Sequence, residues 1–192
     1  MKSLLAVVSL VLLLSACSVD RGLPLRTAQE VDRVRSANLS KDYLLAPNDE
    51  VALAVYGEPE LSKTYKIGPD GNIEIPLAGK IPAAGQTIAA LAAAVQSRLG
   101  SQYMQNPSVA GSIVTYRPFY ILGEVNKPGQ FPYTTGLTLE GAVALAEGFS
   151  YRARTDYVFI QPEDQDEEVR VQVSPGLIVR PGDRIRVAER FF

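Results

Sequence analysis

The sequence predicts an α+β fold in two units, each of which combines short strands with one amphipathic helix. Three observations support this prediction. A threonine and a glycine bracket each of two helical patterns, Thr87 with Gly100 and Thr138 with Gly148. Short runs of alternating apolar and polar residues, rich in valine and isoleucine, fill most of the remaining chain. A break at Asn106-Pro107 separates the first helical pattern from the strand pattern at 109–114.

The stretch 65–87, YKIGPDGNIEIPLAGKIPAAGQT, carries more information than any other. Asp70 and Gly71 form a turn pair that tolerates positive φ at both central positions. Apolar residues at every second position of 73–77 predict a strand with one buried face. We expect this strand to pair with residues 65–67 as a β-hairpin.

The first unit is expected to run from 41 to 115. Alternation over 51–55 predicts its first strand, and 109–114 predicts its last. Between them, a helix capped by Thr87 should end at Gly100. Its apolar stripe consists of Ile88, Leu91, Val95 and Leu99.

The second unit is expected to run from 116 to 190. The strand 119–125 is followed by Lys127-Pro128-Gly129-Gln130, which has the sequence of a type II turn. A helix capped by Thr138 comes next. Three further strands are predicted at 155–161, 169–173 and 183–187. A hairpin, a helix across it and then more strands is the order of a β-grasp fold.

The first 16 residues are typical of a secretory signal: a basic start, an apolar run over 4–14, and small residues before a cleavage point. Leu-Ser-Ala-Cys at 14–17 is the pattern of a bacterial lipoprotein, in which Cys17 is acylated. The alternative is an ordinary signal peptide with an incidental cysteine. We favour the lipoprotein, because the chain has one cysteine and it lies at this position. Ser18, where an aspartate would favour inner-membrane retention, favours the outer membrane.

Residues 17–40 are expected to be the lipidated N-terminus and a polar tether. Thr27 to Glu30 fits a capping box, so a short helix is predicted there, with a flexible spacer as an equal alternative. Removing residues 1–16 takes away one lysine and no acid, which moves the formal net charge from −2 to −3. That charge does not favour nucleic acid as a partner.

The composition argues against an enzyme. The chain contains no histidine, and its one cysteine is assigned to lipid. We predict no catalytic residue, no metal site and no cofactor. Asp49, Asp70 and Asp183 lie in turn sequences, where a structural role is favoured over a carboxylate pair for glycoside hydrolysis.

Two charged segments keep two interpretations each. Arg152 and Arg154 are candidates for contact with acidic sugars or a partner, although a solvated loop is favoured. The acidic run 163–168 is favoured as a solvated loop, and the alternative is that it lines a mouth or faces a basic partner.

The quoted stretch 65–87, together with YLLAPNDEVALAVYGEPEL (43–61), resembles the periplasmic α/β domain of bacterial outer-membrane polysaccharide export proteins. The segments ILGEVNKPGQFPYTTGLTLEGAVALAEGF (121–149) and IVRPGDRIRV (178–187) resemble the soluble-ligand-binding (SLBB) β-grasp domain that follows it in the family. One departure is Ala146-Glu147-Gly148, where the family usually has Ala-Gly-Gly; Gly148 is expected to keep the helix end.

The resemblance implies a homo-oligomeric periplasmic ring that meets an inner-membrane co-polymerase, or chain-length regulator, and conducts exopolysaccharide or capsular polysaccharide passively. Long members add a C-terminal amphipathic helix that builds the outer-membrane pore. This chain ends at Phe192, directly after its last strand, so we expect a separate pore, a β-barrel protein. Two rival functions remain: a monomeric β-grasp module that binds a small ligand, and a structural envelope lipoprotein.

Overall fold

A computed structural model describes residues 24–27, 29–30, 43–163 and 165–190. The predicted signal sequence, Cys17, Ser18 and most of the predicted tether lie outside these residues. The fold is α+β, as the sequence predicts. Its elements are β1 (Glu50–Val55), β2 (Lys63–Lys66), β3 (Asn72–Ile75), β4 (Gly79–Pro82), α1 (Ile88–Gln102), β5 (Val109–Thr115), β6 (Phe119–Gly123), β7 (Gly129–Phe131), α2 (Leu139–Leu145), β8 (Tyr157–Gln161), β9 (Val169–Gln172) and β10 (Arg184–Val187).

The first unit places an antiparallel sheet, in the order β2-β1-β5, beside α1 and the β3–β4 ladder. Thr87 caps α1 by accepting a hydrogen bond from the Ala90 N–H. The apolar stripe of this helix then meets the inward side chains of the strands. One core results, and it includes Val51, Leu53, Val55, Ile73, Ile75, Leu91, Val95 and Leu99.

The predicted hairpin between 65–67 and 73–77 is wrong. The strand β3 pairs with β4, and β2 pairs with β1. The Gly71 N–H does close a turn on the Gly68 carbonyl, but only Gly71 of the predicted pair has positive φ. Leu77 leaves the strand with φ 66° and turns the chain into β4.

The helix α1 continues past the predicted end at Gly100 to Gln102. Gly100 packs against Pro107, since a Cβ atom there would lie 3.3 Å from the proline Cδ. The helix ends at the C-cap Tyr103, whose φ is −128° and whose backbone N–H donates to the Leu99 carbonyl. The glycine therefore serves close packing within the helix and does not terminate it.

The second unit is a five-stranded sheet in the order β7-β6-β10-β8-β9. The pair β6–β10 is parallel, and the other neighbours are antiparallel. Thr138 caps α2 by accepting from the Gly141 N–H. The buried face of the sheet and α2 form a second core, which includes Phe119, Ile121, Leu139, Val143, Val158, Ile160, Val171 and Ile185.

The predicted type II turn at 127–130 is also wrong. A type II turn needs positive φ at its third residue, and Gly129 does not have it; this glycine begins β7. Gly123 supplies the bend with φ 84°, and a Cβ atom there would lie 2.1 Å from the Val187 carbonyl oxygen. At the end of α2, Gly148 adopts positive φ as predicted, and Glu147 does so too.

A short piece of the predicted tether reaches the second sheet. Arg26 forms a parallel bridge with Val171 of the edge strand β9. The Arg26 N–H donates to the Arg170 carbonyl, and the Gln172 N–H donates to the Arg26 carbonyl, both at 2.9 Å. The predicted capping box is confirmed, because the Thr27 N–H donates to Glu30 Oε2 and the Glu30 N–H donates to Thr27 Oγ1.

Candidate functional site

The link between the two units is short. The last strand of the first sheet ends at Thr115, and the first strand of the second begins at Phe119. Tyr116, Arg117 and Pro118 make the whole connection. A link of this length allows little independent movement once its side chains are held.

Asp49 holds the link from the first unit. Its side chain is fully buried, and four groups contact its carboxylate. The backbone N–H of Arg117 donates to Oδ1 at 2.7 Å, and the Ala46 N–H donates to Oδ2 at 2.8 Å. The Tyr43 hydroxyl donates at 2.7 Å, and Arg117 Nη1 lies 3.6 Å from Oδ2. The buried carboxylate is therefore fully partnered, as a buried charge must be.

Arg117 joins acids from both units. Its side chain is only 16% exposed. Besides Asp49 of the first unit, the guanidinium pairs with Glu163, which follows β8 in the second. Its Nη1 also donates to the Tyr43 hydroxyl at 2.9 Å. We call Tyr43, Asp49, Arg117 and Glu163 the junction network. Charge-assisted hydrogen bonds join the link to Asp49 and Tyr43 of the first unit, and an ion pair joins it to Glu163 of the second.

Aromatic rings extend this contact. Tyr43 and Tyr116 meet edge to face with centroids 4.9 Å apart, and Tyr116 meets Tyr133 in the same way at 5.5 Å. Burial raises the pKa of Tyr43 well above its usual range, and hydrogen bonding to Asp49 adds to that rise. Tyr43 therefore stays a protonated donor. The two units are held in one orientation by packing as well as by charge.

Two similar turns flank the junction, at Ala46–Asp49 and Arg180–Asp183. In each, the aspartate side chain accepts from the backbone N–H three residues earlier, at 2.8 Å and 2.9 Å. The residue before the aspartate has positive φ, Asn48 at 74° and Gly182 at 82°. The predicted turn roles of these aspartates and of Asp70 are confirmed. The contact of Asp49 with Arg117 was missed, and no local pattern signals it, because 68 residues separate the two.

Cys17 and Ser18 lie outside the described residues. Arg152 and Arg154 both lie in the loop between α2 and β8, and each meets an acid. Arg152 pairs with Glu189, and Arg154 Nε lies 3.7 Å from Asp156 Oδ1. Hydrogen bonding to Glu189 raises the pKa of Arg152 further. Asp156 is close enough in sequence to have suggested its pairing with Arg154, whereas Glu189 is not.

The acidic segment 163–168 is not simply a solvated loop. Glu163 pairs with Arg117, and Glu168 pairs with Arg186. The Arg186 hydrogen bonds lower the pKa of Glu168. Asp166 and Glu167 are exposed, and residue 164 is not described. Two acids of this run, Glu163 and Glu168, therefore have basic partners within the same chain.

A surface cavity and the turn aspartate Asp70 are the features that bear on catalysis. A surface cavity of about 360 Å³ beside α1 is lined by uncharged residues, which include Gln96, Ser97 and Asn106. Hydrogen bonds from Asn72 and Lys80 lower the pKa of Asp70 to about 2, so this carboxyl is a poor general acid at neutral pH. Within the described ranges, no group of three acidic, histidine or cysteine side chains is placed to hold a metal ion.

Among the helices of the described residues, none combines the length and apolar character needed to cross a membrane. Two family models match the chain in succession. Residues 37–114 match the polysaccharide biosynthesis/export protein model, and residues 117–187 match the SLBB domain model. The boundary between the two matches falls at the junction network.

Named relatives agree with these matches. The exopolysaccharide production protein ExoF of Rhizobium meliloti (strain 1021) is 34% identical over 127 residues, which cover 62% of this chain and 30% of that protein. The polysialic acid transport protein KpsD of Escherichia coli is 27% identical over 129 residues, which cover 66% of this chain and 23% of that protein. The chain thus spans less than a third of the length of the curated relatives it matches. With an export domain followed by an SLBB domain, the chain belongs to the polysaccharide biosynthesis/export protein family.

Proposed function

We propose that this protein is a lipid-anchored component of a periplasmic conduit for exopolysaccharide or capsular polysaccharide. The observation that carries the proposal is the succession of export and SLBB domains across one short, fixed junction. The names of the two relatives, one in exopolysaccharide production and one in polysialic acid transport, support the same substrate class.

The proposed mechanism is passive. Side chains of several subunits line the path, and polymer synthesis at the inner membrane supplies the drive. The charged groups of the junction network support this view, because they pair with one another. Asp49 has its full set of hydrogen-bond partners, and Arg117 has an acid on each side. A network of this kind transmits position between domains and offers no free acid or base. The chain would accordingly not be an enzyme.

The proposed location is the periplasmic face of the outer membrane. Acylated Cys17 would insert in the inner leaflet, and Ser18 would permit sorting to that membrane. Residues 17–40 would be the tether, 41–115 the export domain and 116–190 the SLBB domain. The proposed partners are further copies of the chain in a ring, the inner-membrane co-polymerase and the polymer itself.

The test is a strain without this gene, complemented with the wild-type gene, with Cys17→Ala, or with Ser18→Asp. Surface polysaccharide should be lost in the deletion strain and restored only by the wild-type gene. Palmitate labelling should mark the wild-type and Ser18→Asp proteins but not Cys17→Ala. Surface polymer at the wild-type level in the deletion strain would refute the export function, and normal polymer with Cys17→Ala would refute the need for an anchor.

A further inference from the structure

One face of the second sheet is covered by α2 and the core, and the opposite face carries arginines and aromatic residues. Alternation along each strand produces this division, because every second side chain points into the second core. These core side chains include Val158, Ile160, Ile185 and Val187. On the outward face, Tyr120 is 37% exposed and Leu122 is 46% exposed. We call it the arginine face; it consists of Tyr120, Leu122, Tyr157, Phe159, Arg170, Arg184 and Arg186.

Strand register sets these side chains in a row. Leu122 of β6 is paired with Arg186 of β10, which is paired in turn with Phe159 of β8. Phe159 is paired with Arg170 of β9. An apolar residue and an arginine therefore alternate across four neighbouring strands. In a second row, Tyr120 lies beside Arg184.

Three guanidinium groups lie over aromatic rings on or beside this face. Arg186 Cζ lies 4.0 Å from the centre of the Phe159 ring, and Arg170 Cζ lies 3.9 Å from that of Tyr157. Arg154, from the adjoining loop, lies 5.3 Å from the same Tyr157 ring. Stacking on a ring positions a guanidinium while its N–H edge can still donate hydrogen bonds to a partner.

The arginine face carries more positive charge than its own acids neutralise. Glu168 pairs with Arg186, and Asp156 pairs with Arg154. Arg170 and Arg184 have no ion pair with any residue that the structure describes. The Nε of Arg170 is buried and has no hydrogen-bond acceptor among the same residues. An unmet buried donor is costly, so an acceptor from outside this part of the chain would stabilise the site.

We infer that the arginine face binds an acidic polysaccharide through its carboxylates. The guanidinium fork matches a carboxylate in two parallel hydrogen bonds. The ring of Tyr120 and the side chain of Leu122, which are exposed, offer apolar area to the C–H faces of sugar rings. This deepens the proposed function and rests on it, because it names the polymer class that the conduit would carry.

The exposure of the face favours weak contact. Charged pairs in contact with water contribute little each, so several dispersed arginines give charge selection without tight retention. A polymer that passes along a surface needs this balance, since a tightly held chain would not move. Binding should therefore weaken as salt concentration rises.

The experiment uses the mature full-length protein in detergent and fluorescent oligomers of polygalacturonate, with dextran oligomers of equal length as the neutral probe. Anisotropy at low salt should show binding of polygalacturonate but not of dextran. Arg170→Gln with Arg184→Gln should weaken that binding about tenfold. The matched control is the double variant Arg98→Gln with Lys66→Gln, at two exposed positions in the first unit. It removes the same charge and should leave polygalacturonate binding within about twofold of wild type.

Thermal melting shows whether each variant folds, and Arg184→Gln alone serves if the double variant does not. Equal binding of dextran, or equal loss in both double variants, would overturn the inference. A changed sedimentation coefficient with no change in polygalacturonate binding would also overturn it, because the face would then belong to an interface between copies. Loss of export on gene deletion, with no effect of the arginine variants on polygalacturonate binding, would refute this inference alone. Normal export on gene deletion would refute the proposed function.

Discussion

Glu147 holds a left-handed backbone conformation, with φ 62°, at the end of α2. A side chain makes this conformation costly. The Asn126 side chain donates to the Glu147 carbonyl at 2.7 Å, and Lys127 lies 3.3 Å from its carboxylate. These contacts hold the residue in place, but both charged groups are largely exposed and their ion pair adds little.

Glu147→Gly should therefore raise the free energy of unfolding by about 1 kcal/mol, because it removes the steric cost at little loss of contact. Urea denaturation of the mature chain measures the change. Lys127→Ala, which removes only the ion pair, should change stability by less than about 0.5 kcal/mol. A glycine variant less stable than wild type would show that the strain is not real.

Asp70 predicts a pH dependence at the residue scale. Hydrogen bonds from Asn72 and Lys80 lower its pKa from 3.8 to about 2 in the folded protein. The folded state thus favours the ionised form, so its stabilising effect is complete above pH 3.8 and is lost as the pH falls toward 2. Melting temperature should fall less steeply over this interval in Asp70→Asn than in wild type. Parallel curves for the two proteins would contradict this.

At the scale of elements, the junction network should be the costliest polar contact to break. Asp49→Ala removes a buried carboxylate and leaves Arg117 and two backbone donors without their acceptor. A loss of about 3 kcal/mol of unfolding free energy is expected. Tyr43→Phe, which removes one hydroxyl, should cost about 1 kcal/mol.

The matched control is Asp70→Ala, the same substitution at an exposed turn aspartate. Chemical denaturation of the three variants should rank Asp49→Ala as the least stable. If Asp49→Ala costs no more than Asp70→Ala, the junction does not hold the two units together. Tyrosine fluorescence follows the transition, since Tyr43, Tyr116 and Tyr133 all lie at the junction.

Elements with a strong local signal could be predicted from the sequence. Both helices begin at the predicted threonine caps, and the alternation at Ile73 and Ile75 correctly assigns their buried face. Alternation fixes a face but does not choose a partner, so β3 was paired with the wrong strand. The strand β4, with one buried side chain among its four residues, carries no such signal.

The candidate site was predictable only in part, for the same reason. Turn chemistry places Asp49 against the Ala46 N–H, three residues away. Its contact with Arg117 depends on the path of the link between β5 and β6. The residues near Asp49 in the sequence carry no signal for that path. In the same way, Pro128-Gly129 favours a turn, yet the close approach of Gly123 to Val187 decides where the chain bends.

At the scale of the whole molecule, two cores meet at a single short link. The first lies between its strands and α1, the second between the five-stranded sheet and α2, and the junction network fixes one against the other. Under the proposed function, rigid joining would suit a subunit that must keep its place in an assembly, because a loose joint would allow the path to close. The proposed role of the protein is therefore transport of polymer and not chemistry within the chain.

The most direct test of that claim is the distribution of polysaccharide between the cell interior and the medium after the protein is depleted. We expect polymer outside the cell to fall and polymer inside to rise, because synthesis continues while the route outward is lost. Unchanged polymer outside the cell would contradict the account, and so would a fall outside with no rise inside, since that result would place the protein in synthesis and not in export.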